Sequence, residues 1–312
     1  MTLQKKSIHG EPHSKSQERR IISFLEYGIS DVVALGRYEY HSVKAGLSSH
    51  RHPGAVEICY LERGRQTYRL EGRDYNLVGG DLFVVPPGKV HDTGGRPEDC
   101  GILYWLILKI PRPDTSLLSL CSADTAIVRR RLLRIPRPQF VGRPVLKYML
   151  NRLFELYDRP KDDLRSIAIK YELLGVLLEI IHCAHNDQPR QCSKAISRVV
   201  EKISGCPQGD FSLQGLADVA RLSLSRFKVK FKSEMGIAPR EFILRAKVQE
   251  AKKALIEGQL SVTEIAIDLG FSSSQYFATV FKRFSQQTPI EFQSSPKSSV
   301  ESFSSGLWVD VG

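Results

Sequence analysis

The groups best suited to hold a ligand in this chain are His50, His52, Glu57 and His91. Side chains alternate along a strand, so His50 and His52, in the run His50-Arg51-His52, project to one face. His91 can join them from a neighbouring strand. Three imidazoles and one carboxylate suit a divalent transition metal. They equally suit hydrogen bonding to an organic effector or to one another, and the residues alone leave both readings open. Tyr104 and Trp105 stand in an apolar run beside this set. Tyr104 is counted with the effector-binding residues, although adjacent strand positions face opposite sides and at least one of the two belongs to a core.

These side chains need strands to position them. From about Val32 to Ile110, short β-branched and aromatic runs (AVEICYL, RQTYRL, YNLVG, DLFVVPP, GILYWLILKI) alternate with glycine and charged residues. Glu62-Arg63-Gly64 and Glu71-Gly72-Arg73 read as hairpin turns. Many short strands at close spacing predict a barrel or jelly roll. The histidines and Glu57, followed by Gly64, and then Gly80, Pro86, Gly88 and His91, resemble the two sequence motifs of the cupin family, a small β-barrel. Gly95 stands where the second motif usually has asparagine.

A second constellation lies at Ser261–Phe292. Ile265, Ala266 and Leu269 share a helical face, Gly270 permits a left-handed turn, and Ser272 is expected to cap the next helix. There Tyr276 or Phe277, Val280, Phe281 and Phe284 face inward, while Ser274, Gln275, Ala278, Thr279 and Lys282 point away. That is a helix-turn-helix pattern. It occurs twice: Leu216-Ala217 through Ser223 matches Ile265-Ala266 through Ser272, with Phe227 and Phe231 in the places of Phe277 and Phe281. The pair, ending in Gly270, Phe271, Ser272, Tyr276, Phe277, Phe281, Lys282, Thr288 and Pro289, resembles the AraC/XylS family of bacterial transcription regulators over roughly the last third of the chain. Arg221 replaces the glycine usual in the first turn, Lys230 occupies a usually apolar place, and Val229 and Thr279 stand where relatives often carry a base-reaching arginine. The resemblance implies promoter DNA and RNA polymerase as partners, and sensor domains of the cupin type that serve as ligand pockets.

Between the two constellations, residues 112–142 read as an irregular, proline-containing exit segment. Two amphipathic helices follow. One runs over about 144–157, with Leu146, Met149, Leu150, Leu153, Phe154 and Tyr157 as its stripe. The other covers about 163–184, with Ile167, Tyr171, Leu174, Leu177, Leu178 and Ile181 as its stripe. The family resemblance implies dimerisation through such helices; packing within the chain is the alternative. Asn186–Ser193 reads as a polar linker. An opening helix at 194–204 precedes the first motif, whose recognition helix is expected at 224–235, with Ser225, Arg226, Lys228, Val229 and Lys232 outward. A long helix at 239–257 ties the motifs together, holding the recognition helices about one DNA turn, ~34 Å, apart.

Composition agrees. The 312 residues carry 45 Lys+Arg against 34 Asp+Glu, a net charge of +11, which suits a polyanion. Six scattered cysteines without a CxxC pair read as reduced thiols. The polar N-terminal stretch has no apolar core of a secretory signal, and the longest apolar runs are too short to span a bilayer. The sequence has no P-loop, Rossmann glycine set or nucleophile elbow.

The resulting reading is α+β: a disordered segment over 1–25, a cupin-like effector-sensing barrel (jelly roll) over 26–110, a helical dimerisation or packing segment over 111–186, a linker over 187–193, an all-α double helix-turn-helix domain over 194–293, and a tail over 294–312. The function is a cytoplasmic, homodimeric, effector-responsive DNA-binding transcription regulator, with activation the expected mode, and not an enzyme. The DNA-binding residues are Ser225, Arg226, Lys228, Lys232, Ser274, Gln275, Thr279 and Lys282. The effector residues are His50, His52, Glu57, His91 and Tyr104, and the cofactor expected is a divalent transition metal on His50, His52, Glu57 and His91. Competing readings are a metal-dependent cupin enzyme fused to a DNA-binding module, and a constitutive DNA-binding protein whose barrel only dimerises.

Overall fold

The computed structural model describes residues 18–112, 115–160, 162–186 and 192–294. It divides into two units. The first is an antiparallel sheet with three α-helices. Its strands are β1 (Arg19–Ile22), β2 (Val32–Tyr40), β3 (Ala55–Leu70), β4 (Arg73–Val78), β5 (Asp81–Val85), β6 (His91–Asp92), β7 (Gly101–Lys109) and β8 (Gln139–Val141). The ladder runs β1-β2-β7-β3-β5-β8, with β4 and β6 also paired to β3.

The long β3 therefore organises the sheet. Its first half pairs with β5 and β7, and its second half with β4 and β6. The turn expected at Glu62-Arg63-Gly64 is absent, because the strand runs straight through it. A register shift between Leu61 and Arg63 absorbs the irregularity instead, with Gly64 at φ 107°. The opposing residue must be glycine too: a Cβ on Gly101 would sit 2.1 Å from the Arg63 carbonyl oxygen. The second turn is present. Glu71 and Gly72, both at positive φ, connect β3 to β4, as a two-residue hairpin requires.

Strand alternation gives the sheet two different faces. Val56, Ile58, Tyr60, Tyr104, Leu106 and Leu108 point to one and join a core with the three helices. Those helices are α1 (Ser122–Leu133), α2 (Val145–Asp158) and α3 (Arg165–His185). Glu57 and Cys59 point to the other face, where Phe83 and Trp105 are the register partners of Cys59 and Tyr68 stacks on Phe83 at 5.1 Å.

Helix α1 and strand β8 correct the irregular reading of 112–142. The helix was hidden by its weak pattern: its cap is Cys121, whose Sγ accepts from the Asp124 N–H, and its buried stripe is only Thr125, Val128 and Leu132. Strand β1 likewise corrects the disordered reading of 18–25; residues 1–17 lie outside the described residues, as do 187–191 of the linker and 295–312 of the tail. In α2 the expected stripe is buried at Leu146, Leu150, Leu153 and Phe154. In α3 it is met only in part: Leu177 is buried and Leu174 and Ile181 pack against the core, but the buried face centres on Ile169, Leu173, Val176, Ile180 and Cys183, and Ile167, Tyr171 and Leu178 are 60%, 79% and 50% exposed. The helix is apolar nearly all round, so periodicity alone does not choose its inner side.

The second unit is helical: α4 (Lys194–Gly205), α5 (Leu213–Ala220), α6 (Leu224–Met235), α7 (Pro239–Glu257), α8 (Val262–Asp268), α9 (Ser274–Ser285) and α10 (Pro289–Ser294). It also includes two short segments, His41–Leu47 and Gly95–Cys100. Helix α7 serves two cores. Phe242 and Ile243 pack with Phe227 and Phe231 of the first motif; Val248, Ala251 and Leu255 pack with Phe277, Phe281 and Phe284 of the second. Among the described residues, no helix is long and apolar enough to cross a membrane.

Candidate nucleic-acid interface and ligand cluster

Each motif is a helix pair fixed by the same backbone bonds. In the first, Ser212 caps α5 by accepting from the Gly215 N–H at 3.0 Å, and Arg221 turns the chain at φ 55°. In the second, Ser261 and Glu264 form a reciprocal capping box on α8, and Gly270 turns at φ 65°. The Leu222 N–H donates to the Ala217 carbonyl, and the Phe271 N–H to the Ala266 carbonyl.

The repeats then slip by one residue. Ser223 stands at the N-cap position of α6, without a side-chain cap bond, but Ser273 caps α9, accepting from the Tyr276 N–H at 3.1 Å. Ser272, the expected cap, is an extra residue in the second turn. This explains why the turns align at an offset of 49 residues while the buried phenylalanines align at 50. It also settles the inward aromatic: Phe277 is buried, and Tyr276 is 47% exposed.

Phe227 and Phe231 hold the inner side of α6, and Phe277 and Phe281 that of α9. On the outer sides Ser225, Arg226, Lys228 and Lys232, and Gln275, Thr279 and Lys282, are exposed, with Ser274 half-buried. A shallow groove of about 660 Å³ runs along α6 past Ser225, Arg226 and Val229. Lys230 is half-buried and pairs with Glu234 at 2.7 Å, which keeps its charge at the surface. Short polar groups among cations are what base edges and phosphates require.

In the first unit, His50, His52, Glu57 and His91 do come together, with one ligand atom from each lying within 4.8 Å of the others. Backbone bonds between His50 and His91, 3.1 and 3.0 Å, hold the two segments side by side. The buried Glu57 Oε2 lies 2.9 Å from His52 Nε2, 2.8 Å from His91 Nε2 and 3.9 Å from His50 Nε2. The Nδ1 atoms of His50 and His91 face the carbonyls of Ser48 and Lys89 at 2.8 and 3.3 Å. Burial lowers the His50 pKa. Burial also opposes charge on His91, but the hydrogen bond and negative charge of Glu57 outweigh it and raise that pKa. One carboxylate thus gathers three imidazoles, and in two of them, His50 and His91, the outer nitrogen is already oriented by a carbonyl, the arrangement found behind metal-ligating histidines.

Tyr104 is not in this cluster. It faces the helices, where its hydroxyl lies 2.9 Å from Asn151 Oδ1, 3.0 Å from Glu62 Oε2 and 3.2 Å from Arg37 Nε; burial pushes its pKa up to about 12. The cause is register. Tyr104 pairs with Tyr60, and Trp105 with Cys59 on the Glu57 side.

Comparison with known proteins agrees with this architecture. An AraC-like ligand binding domain matches residues 33–174, and a helix-turn-helix domain matches residues 216–295. An uncharacterized HTH-type transcriptional regulator of Haemophilus influenzae is 24% identical over 79% of this chain and 89% of its own length. The thermoregulatory protein LcrF of Yersinia pestis is 24% identical over 75% of this chain and 87% of its own. Among solved structures, the DNA-binding domain of AdpA in complex with a target DNA is 27% identical over 32% of this chain and 91% of that one, with a TM-score of 0.31. The sheet, the helices and the paired motifs define a DNA-binding transcription regulator with a separate ligand-binding domain. The chain thus joins an AraC-like ligand binding domain to a helix-turn-helix domain, and a relative over three quarters of its length is an HTH-type transcriptional regulator.

Proposed function

We propose that this regulator takes its effector at the His50–His52–Glu57–His91 cluster and contacts DNA through Ser225, Arg226, Lys228 and Lys232 of α6 and Ser274, Gln275, Thr279 and Lys282 of α9. The observation that carries the effector site is the convergence of three imidazoles on one buried carboxylate, on the sheet face turned away from the helices. A divalent transition ion fits these donors. Bound there, it would supply a fixed positive centre for an anionic or hydroxylated effector. The four side chains would hold that centre, and the carbonyls of Ser48 and Lys89 would orient two of them. Effector binding then shifts the population of DNA-competent arrangements.

The exposed stripe of α3 supports a homodimer. Leu164, at the N-cap, and Ile167, Tyr171 and Leu178 recur at steps of three, four and seven residues and are all at least half exposed. That spacing suits the same helix of a second copy.

Native mass spectrometry of the full chain, paired with duplex-binding measurements with and without Zn²⁺, tests the effector site. A retained ion, lost in His52→Ala and His91→Ala, with a change in DNA affinity of about tenfold, is the expected result. DNA binding indifferent to the ion and to both substitutions overturns it. For the dimer, Tyr171→Glu is expected to give a monomer in sedimentation equilibrium.

A further inference from the structure

Val229 is 72% exposed at the middle of α6. A single exposed valine carries no meaning by itself; its position gives this one meaning. It lies two residues from Phe227 and two from Phe231, both fully buried. At 100° per residue it therefore points almost directly away from the core. Its neighbours on that face are Ser225, Arg226 and Lys232, all exposed.

The second motif repeats the arrangement independently. At the 50-residue offset fixed by the buried phenylalanines, Val229 corresponds to Thr279, two residues from Phe277 and two from Phe281. The Thr279 hydroxyl is turned back onto its own helix, donating to the Gln275 carbonyl at 2.9 Å. With Oγ1 so engaged, the side chain offers its methyl outward. Both helices thus present a stiff, β-branched apolar group at the centre of an otherwise polar face.

In the major groove, the apolar group a base pair offers is the thymine C5-methyl. We infer that Val229 and the Thr279 methyl each read one thymine methyl, one per motif, so that they are specificity-determining residues of this regulator. This rests on α6 and α9 being the DNA-contacting helices. The ligand feature is defined chemically: a T·A pair in each half of the site, on the order of 10 base pairs apart.

The test removes methyls from both partners. Duplexes are enriched from a random library by the full chain, and each thymine at a shared position is replaced by deoxyuridine, which lacks only that methyl. Wild type is expected to lose about fourfold in affinity at one thymine per half, the worth of one buried methyl. Val229→Ala should abolish the thymine–deoxyuridine difference in one half only. Thr279→Ser, which keeps the hydroxyl, should abolish it in the other half only. Enriched duplexes bound with no sensitivity to deoxyuridine, or a sensitivity that survives both substitutions, overturn the inference while leaving DNA contact by these helices intact. Failure to enrich any duplex sinks the DNA-contact reading itself, and the inference with it.

Discussion

The first motif turns from α5 to α6 on an arginine, and the second turns from α8 to α9 on a glycine. Arg221 and Gly270 adopt the same left-handed conformation, at φ 55° and 65°. At the other end of the recognition helices the assignment reverses: Gly236 ends α6 at φ 72°, and Gln286 ends α9 at φ 64°. Each copy therefore keeps one glycine and one strained residue, in opposite places. Local propensity does not hold this frame, since it is violated once per copy; the buried phenylalanine pairs and α7 do. The cores differ as well. In the second unit the buried cations, Arg245 and Lys252, both belong to the second motif's surroundings, where Arg245 lies 4.7 Å over Phe284 and Lys252 lies 5.9 Å over Phe292.

The largest expected effect probes that asymmetry. Arg245 bonds Asp99 at 2.6 and 3.0 Å and Glu241 at 2.8 and 3.0 Å, and the two carboxylates hold its pKa above the ordinary value despite burial. Arg245→Ala leaves both acids without their cation, a loss of about 3–5 kcal/mol. Hydrogen exchange in the full chain should show α9 losing protection by that amount while α5 keeps its own. Equal loss in both would show that the motifs unfold as one block and break the comparison.

Lys252 gives a pH signature of similar origin. Burial lowers its pKa to about 8 from 10.5. Between those values the unfolded chain holds more protons than the folded one, so stability rises with pH across that window. The total is about 3 kcal/mol. Protection of α9 amides is expected to grow from pH 8 to 10, and Lys252→Met should flatten the slope. A slope unchanged by the substitution assigns the effect to another group.

The helix-turn-helix pair was legible because its information is local and doubled: glycine, serine and phenylalanine spacings fix each copy, and each copy checks the other. The histidine cluster was legible in its residue types, but not for the expected reason: His50 and His52 precede β3 instead of alternating along a strand, and an isolated bridge between His50 and His91 brings the segments together. Tyr104 was misplaced because two adjacent aromatic residues cannot declare which side of β7 is inward until its register with β3 is known. The inner face of α3 was legible only in part: Leu174, Leu177 and Ile181 face the core as expected, while Ile167, Tyr171 and Leu178 do not. The burial of Arg245 is not written in the local sequence, because its partner Asp99 lies 146 residues away.

The smallest expected effect bears most directly on how two similar frames tolerate different residues. Arg221→Gly relieves about 1 kcal/mol of left-handed strain, and the freer unfolded chain cancels roughly half of it. A net gain of about 0.5 kcal/mol is expected in the first motif, read from exchange in α5. Gly270→Arg should cost about as much in the second, without a steric penalty at its first atom: the nearest group to a Cβ there is Lys247 Nζ at 3.5 Å, an ordinary contact. If Arg221→Gly stabilises the fold and weakens duplex binding, the exposed guanidinium earns its strained position through phosphate contact. If it stabilises the fold and leaves binding unchanged, the strain at this turn is simply carried by the packing of Phe227 and Phe231 beneath it.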